Sequence, residues 1–232
     1  MQVVRRPFRW GGVSDALETK FWTCLNASKA VNSIMDIGAR DSSMPHLFPE
    51  AQVALFEPMP IQAARLSATW GTTPRVSVHP YGLGEDDNTL AYYTNTESFV
   101  KRTVHIQSHS PISLPVKSFG SALSELGWES IDFVKIDTEG YEYTILKSAK
   151  SLIDNHRIKF IQFEMGGTIF DVDITMHDIF ALFDPSWRIY NIEADALNLI
   201  SHAFTWSPTD WSNGNFFATW VPEEELKRLL SS

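Results

Sequence analysis

Five short apolar runs punctuate the first two thirds of the chain: VNSIMDI at 31–37, QVALFE at 52–57, RVSVH at 75–79, IDFVKID at 131–137 and IKFIQFE at 158–164. They are rich in β-branched and aromatic residues and show little alternation with polar ones, the pattern of strands buried on both faces of a parallel sheet. The segments between them are helical or rich in turn residues. After the fourth run, Tyr141, Ile145, Leu146, Ala149, Leu152 and Ile153 fall on one helical face. Acidic Glu139 and Glu142 stand early in that segment and Lys147 and Lys150 late, which matches the helix dipole and predicts a βαβ unit. Alternating strand and helix imply right-handed crossovers, with ligands held at the carboxyl ends of the strands.

The ends of the chain follow other patterns. Ser14 is a plausible N-cap, and Leu17, Phe21, Cys24 and Leu25 lie at helical spacing behind it, so residues 1–30 are expected to form a helical flank or lid. Apolar runs at 187–192 and 215–221 are separated by a turn-rich stretch with Pro208, Asn213 and Gly214, which predicts an antiparallel C-terminal hairpin. Residues 88–118 have β-type composition and weak helical periodicity, and are expected to be an irregular insertion or short hairpin. The fold class is therefore α/β, a doubly wound, mostly parallel sheet with an antiparallel C-terminal hairpin, in one domain spanning 1–232.

Composition narrows the function classes. Hydrophobic residues at 44% and charged residues at 20% describe a chain that folds around a core. A net charge of -9 disfavours a nucleic-acid partner, and the only basic cluster, Arg5, Arg6 and Arg9, reads as a solvated terminal segment. Cys24 stands alone and cannot form an internal disulfide, which suits a reducing compartment. No apolar run approaches the ~20 residues that span a bilayer, and the start of the chain lacks a secretory apolar core, so the expected location is cytoplasmic.

The candidate chemistry sits at the strand ends. The first run closes on Asp36, Ile37, Gly38 and Ala39, and the second on Glu57 and Pro58, nineteen residues beyond Gly38. A glycine after strand one lets the backbone approach a nucleoside, and a carboxylate ending strand two accepts hydrogen bonds from ribose hydroxyls. The remaining glycines of a dinucleotide fingerprint are absent, since the chain continues Arg40, Asp41, Ser42. Asp41 would repel a pyrophosphate at a helix N-terminus, whereas S-adenosylmethionine has no phosphate and carries a sulfonium and an ammonium. The fourth run ends in KIDTEGYE, residues 135–142, which puts Asp137 and Glu139 at the ligand edge.

KIDTEGYEYTIL followed by KSAKSLI, with DIGA and FEP upstream and GNFFATW near the end, resembles the signature of the FkbM family of methyltransferases. The resemblance runs in order from about residue 31 to 164. It implies a class I methyltransferase (Rossmann-like) sheet, S-adenosyl-L-methionine as cofactor, and O-methylation of a hydroxyl on a sugar, glycan or related small metabolite. By that resemblance Asp36, Gly38, Ala39 and Arg40 would lie near the methionine portion of the cofactor, with Asp137 beside them. Glu57 and Pro58 would lie at the ribose, and Gly82 and Leu83 at the adenine. Ser42 departs from the family, which usually shows another glycine there, and this puts the local backbone path in question.

An alkyl or sugar hydroxyl is a weak nucleophile while protonated, so a base or a metal must assist. The candidate catalytic residues are Asp137, Glu139 and Glu164, followed by His105; His79 and His109 are further histidines of the same type. Asp137 and Glu164 would end adjacent strands, where they could share a proton, a substrate hydroxyl or a divalent cation. Trp206 and Trp211 could offer faces to a sugar ring or pack against the fold. Two other readings share the architecture: a nicotinamide-dependent oxidoreductase, which the missing glycines disfavour, and a catalytically silent module binding a glycan or a partner enzyme.

Overall fold

A computed structural model describes residues 1–5, 15–94, 97–101, 110–166, 172, 174–193, 195–200 and 214–231. The chain begins with β1 (Gln2–Val4) and α1 (Asp15–Ala27), then alternates through β2 (Ser33–Ile37), α2 (Met44–Leu47), β3 (Gln52–Phe56), α3 (Pro60–Trp70) and β4 (Val76–His79). A small excursion follows: β5 (Gly82–Gly84), β6 (Asn88–Tyr92) and β7 (Ile112–Ser118). The main sheet resumes with α4 (Phe119–Leu126), β8 (Ile131–Ile136), α5 (Glu142–Ser148), α6 (Lys150–Asp154) and β9 (Ile158–Met165). Last come α7 (Met176–Phe180), β10 (Arg188–Ile192), β11 (Ala196–Ile200), β12 (Gly214–Thr219) and α8 (Glu223–Leu230).

All five apolar runs are strands of one sheet, ordered β1-β11-β10-β12-β9-β8-β2-β3-β4. From β9 to β4 the pairing is parallel throughout. The chain order reverses between β2, which leads outward to β3 and β4, and β8, which leads to β9. This is the switch point at which doubly wound sheets place their ligands. Helices cover both faces: α4, α5, α6 and α7 supply Phe119, Leu123, Ile145, Ile153 and Ile179 to one core, while α1, α3 and α8 supply Phe21, Leu25, Leu66 and Leu226 to the other.

Several expectations need refinement. The single helix expected over 141–153 is two, α5 and α6, which meet at Ala149. The predicted C-terminal hairpin is antiparallel, but β12 inserts between β9 and β10, and an unanticipated strand, β11, pairs on the far side of β10. The stretch read as turn-rich therefore begins with a strand. The 88–118 insertion is a hairpin of β6 and β7, with β5 alongside in a separate three-stranded sheet. The helical flank expected over 1–30 contains α1, which packs its Phe21 ring on Phe217 of β12 at 5.0 Å, but it opens on a strand, β1, that pairs in parallel with β11 at the sheet edge. Its Ser14 cap, Arg6, Arg9, Trp206 and Trp211 lie outside the described residues. Among the described residues, no helix is long and apolar enough to cross a membrane.

Candidate active site

Because β2, β3 and β8 run parallel and in register, with Ile37 opposite both Phe56 and Ile136, the residues that follow them emerge at the same edge. They line one cleft of about 420 Å³. Gly38 makes the turn out of β2 with φ of +81°. Its N–H donates to the Phe56 carbonyl at 3.0 Å, and the Asp137 N–H donates to the Ile37 carbonyl at 3.0 Å. A Cβ at residue 38 would stand 1.8 Å from the Asp137 carbonyl oxygen, so this position admits only glycine on steric and conformational grounds alike.

Ser42 shows why a glycine is not needed four residues on. Its hydroxyl donates to Asp36 Oδ2 at 2.5 Å and accepts the Met44 N–H at 3.2 Å, so it serves as a local turn brace. Asp36 is only 2% exposed. Burial raises its pKa, opposed by the Lys135 ammonium and the Ser42 hydroxyl. Its Oδ1 has no hydrogen-bond partner among the described residues, which is costly for a buried carboxylate and marks a position suited to a cationic ligand group. Glu57 is buried as well: Oε2 accepts the Arg40 N–H at 3.0 Å and Oε1 the Met59 N–H at 2.9 Å, which fixes the plane of its carboxylate. Desolvation raises its pKa against those bonds.

Gly82 and Leu83, on β5, border the same cleft. A Cβ on Gly82 would lie 2.6 Å from the Phe99 ring. Phe99 comes from the β6–β7 insertion and packs between Tyr92 at 5.1 Å and Tyr141 at 5.5 Å. The insertion is also strapped to the cleft rim by an ion pair of 2.7 Å from Arg40 to Glu97 and by the Ser98 hydroxyl, which donates to the Thr138 carbonyl at 3.2 Å.

The KIDTEGYE segment divides its acidic residues between two jobs. Glu142 folds back on its own loop: Oε1 accepts the Thr138 N–H and hydroxyl at 2.8 and 3.0 Å, and Oε2 accepts the Gly140 N–H at 2.9 Å. Burial pushes its pKa up to about 7 despite those bonds. It is an architectural residue that shapes the loop. Glu139 takes a left-handed φ of +54° and presents an exposed side chain to the cleft. Asp137 accepts from the buried Lys135 ammonium at 2.9 Å. Burial opposes ionisation of Asp137, but the Lys135 charge, its hydrogen bond and one shared with Glu164 prevail and hold the pKa below the ordinary carboxylate value. Glu164, at the end of β9, is pushed up to about 8 by burial, by the Asp137 charge and by their shared hydrogen bond. The two carboxyl groups thus hold one proton between them at neutral pH.

Asp36, Gly38, Ala39, Arg40, Glu57, Pro58, Gly82, Leu83, Asp137, Glu139 and Glu164 all line this cleft. His105 and His109 fall outside the described residues. His79 is not on the lining of this cleft: its ring stacks on Phe56 and contacts Ser77, Tyr81 and Glu125, and burial lowers its pKa. Sequence reasoning missed Lys135, Tyr92, Phe99 and the α1 residues Glu18 and Trp22 as cleft residues. Lys135 lay within the recognised motif, but its neighbours' charges meet it only through the fold. No group of three or more His, Cys, Asp or Glu side chains arranged to hold a metal ion occurs among the described residues.

The donor set fits an S-adenosylmethionine molecule: a buried acidic oxygen without a hydrogen-bond partner, a rigid carboxylate following the neighbouring strand, and glycines where a side chain would collide. Comparison with known proteins supports the same class. The methyltransferase FkbM domain matches residues 36–196, more than half of the chain. A 2-O-methyltransferase, NoeI of Sinorhizobium fredii, is 22% identical over 151 residues, 56% of this chain and 62% of the relative, so the match spans less than two thirds of that protein. Among solved structures, an O-methyltransferase from Bacillus cereus in complex with SAH aligns at 12% identity over 90% of this chain and 82% of that one, with a TM-score of 0.49. The O-methyltransferase TomG from Streptomyces achromogenes, in complex with SAM, aligns at 14% identity over 90% and 81%, with a TM-score of 0.46. Likeness at that level carries no weight beside the strand order and the domain match. The chain belongs to the FkbM family of methyltransferases, enzymes whose methyl donor is S-adenosylmethionine.

Proposed function

We propose that the protein transfers the methyl group of S-adenosylmethionine to a hydroxyl oxygen of a sugar, a glycan or a related small metabolite, with Glu164 as the general base. The observation that carries this reading is the Asp137–Glu164 pair, in which one carboxyl group is held ionised and the other has a pKa near the working pH. A base with that pKa suits the removal of a hydroxyl proton. The name of the NoeI relative supports an oxygen acceptor.

When bound, the cofactor supplies an electrophilic methyl carbon. Asp36 would hold its ammonium and Glu57 its ribose hydroxyls, through lone pairs not used by the Arg40 and Met59 amides. Glu164 in its ionised form would take the proton of the acceptor hydroxyl as that oxygen receives the methyl group. Asp137, kept anionic by Lys135, stabilises the positive charge around the transferring group before transfer and accepts a hydrogen bond from Glu164 once it is protonated.

A thermal-shift series with S-adenosylmethionine, S-adenosylhomocysteine and NAD separates this from the oxidoreductase reading. A ligand at 100 times its dissociation constant stabilises by about 2.7 kcal/mol, and only the two sulfur nucleosides are expected to do so. Stabilisation by NAD alone would refute the assignment. Labelled methyl transfer to sugars, nucleotide sugars and glycans then tests the acceptor class, and a uniformly negative panel beside transfer to an amine would overturn it.

A further inference from the structure

The sheet order lines up the cleft residues in space. Glu57 follows β3, Asp36 stands on β2, Asp137 follows β8 and Glu164 stands on β9, and Glu18, Thr19 and Trp22 of α1 line the same cleft. If the nucleoside is anchored at the β3 end, the acceptor enters between Glu164 and α1. Among the described residues that end is walled by carboxylates and a hydroxyl with one indole, groups suited to a polyhydroxyl acceptor.

Glu18 is held there by a buried polar network with no evident need beyond positioning. Gln162 of β9 is 0% exposed, its Nε2 donates to Glu18 Oε1 at 2.6 Å and to Asn215 Oδ1 at 3.2 Å, and its Oε1 accepts the Trp22 Nε1–H at 2.7 Å. A fully buried amide loses its hydration and recovers it only through these bonds, so an apolar residue would dock α1 at lower cost. The amide instead orients a carboxylate and an indole toward the space beside Glu164. The charge of Glu18 also reaches the Lys135 ammonium, which places it within the same electrostatic unit as the proton-sharing pair.

We propose that Glu18 is an acceptor-recognition residue whose carboxylate accepts hydrogen bonds from hydroxyls adjacent to the one methylated, so that the acceptor is a carbohydrate carrying neighbouring hydroxyl groups. This rests on the methyltransferase reading above and names its acceptor site. A carboxylate accepting two hydroxyl protons is a recurrent solution for a vicinal diol, because both oxygens lie in one plane at a fixed separation.

Saturation-transfer NMR of the protein loaded with S-adenosylhomocysteine tests this, with methyl glucoside, methyl galactoside and methyl mannoside as probes and catechol as the aryl control. At least one glycoside is expected to bind. Glu18→Gln, which keeps the acceptor for Gln162 but replaces an anionic oxygen by a donor, is expected to weaken it about tenfold or more, with S-adenosylhomocysteine affinity within about twofold of the parent. Glu18→Asp keeps the charge but retracts it, and should bind the glycoside at an intermediate level. Unchanged glycoside binding in Glu18→Gln overturns the role of Glu18. An equal loss of nucleoside affinity in that variant assigns Glu18 to the cofactor and also overturns it. Catechol binding with no glycoside bound overturns the carbohydrate class. If the parent protein does not bind S-adenosylhomocysteine at all, the methyltransferase site itself fails, and this inference with it.

Discussion

At the residue scale, the site depends on a few positions where chemistry and backbone geometry leave no alternative. Gly38 combines a left-handed φ with a Cβ position 1.8 Å from a carbonyl oxygen, so Gly38→Ala must both strain its own backbone and push β8 away. The expected cost is about 3 kcal/mol, measured as a lower urea midpoint at unchanged slope, together with loss of nucleoside binding. A variant as stable as the parent would show that the turn is looser than described. Glu164 makes a kinetic claim of the same sharpness. With its folded pKa near 8 and its ionised form as the proposed base, turnover should climb as pH rises from 6 and level off above about 8. Glu164→Gln should lower kcat by roughly 10² to 10⁴ and flatten that rise. A parent profile already flat between pH 6 and 8 would remove Glu164 as the base.

At the element scale, the β6–β7 insertion is what turns an open strand edge into a cleft. It contributes Phe99, whose ring rests against Gly82 and Tyr141, and it is tied to the rim by Arg40–Glu97 and Ser98–Thr138. A large half-buried ring there serves the cleft wall as much as the insertion itself. Phe99→Ala is therefore expected to raise the dissociation constant for S-adenosylhomocysteine about tenfold by calorimetry while leaving the main sheet folded. Unaltered affinity would mean that the insertion packs beside the nucleoside site without shaping it. The strand pattern of this insertion was only partly legible, because β6 and β7 are separated by a long stretch of sequence and pair across it. Likewise β11 was hidden, since a five-residue run in a turn-rich context has no periodicity to distinguish it until β10 offers an edge.

At the scale of the whole molecule, the same design concentrates acidic groups at one edge and leaves several protonated longer than they would be in water. Asp36, Glu57, Glu142 and Glu164 all have raised pKa values, led in each case by burial. For such groups the folded chain binds more protons than the unfolded one, so stability is full below the unfolded value and is lost as pH rises through the folded value. His79 has the opposite sign, since its lowered pKa favours the folded state as pH rises toward 6.5. The melting temperature should therefore fall between pH 6.5 and 9, once His79 is neutral and Glu142 and Glu164 are losing their protons. A melting temperature that rises across that interval would contradict the burial of these groups. Bound S-adenosylmethionine should lessen the fall, because its positive groups favour the ionised carboxylates.

The chain's local patterns were enough to reveal the alternating strands, the carboxyl edge where the cleft lies and the DIGA, FEP and KIDTEGYE elements, because strand burial and turn chemistry act over a few residues. They also showed which carboxylates stand at strand ends. They could not show that Glu142 turns inward to shape its loop, that Ser42 braces Asp36, or that Lys135 sets the charge on Asp137. Those roles join residues only a few positions apart, but the direction each side chain takes depends on the turn it sits in and on burial in the packed sheet. Which of two neighbouring carboxyl groups keeps the proton, and which helix closes the far end of the cleft, are properties of tertiary structure because desolvation and charge are fields of the assembled molecule, not of a sequence window.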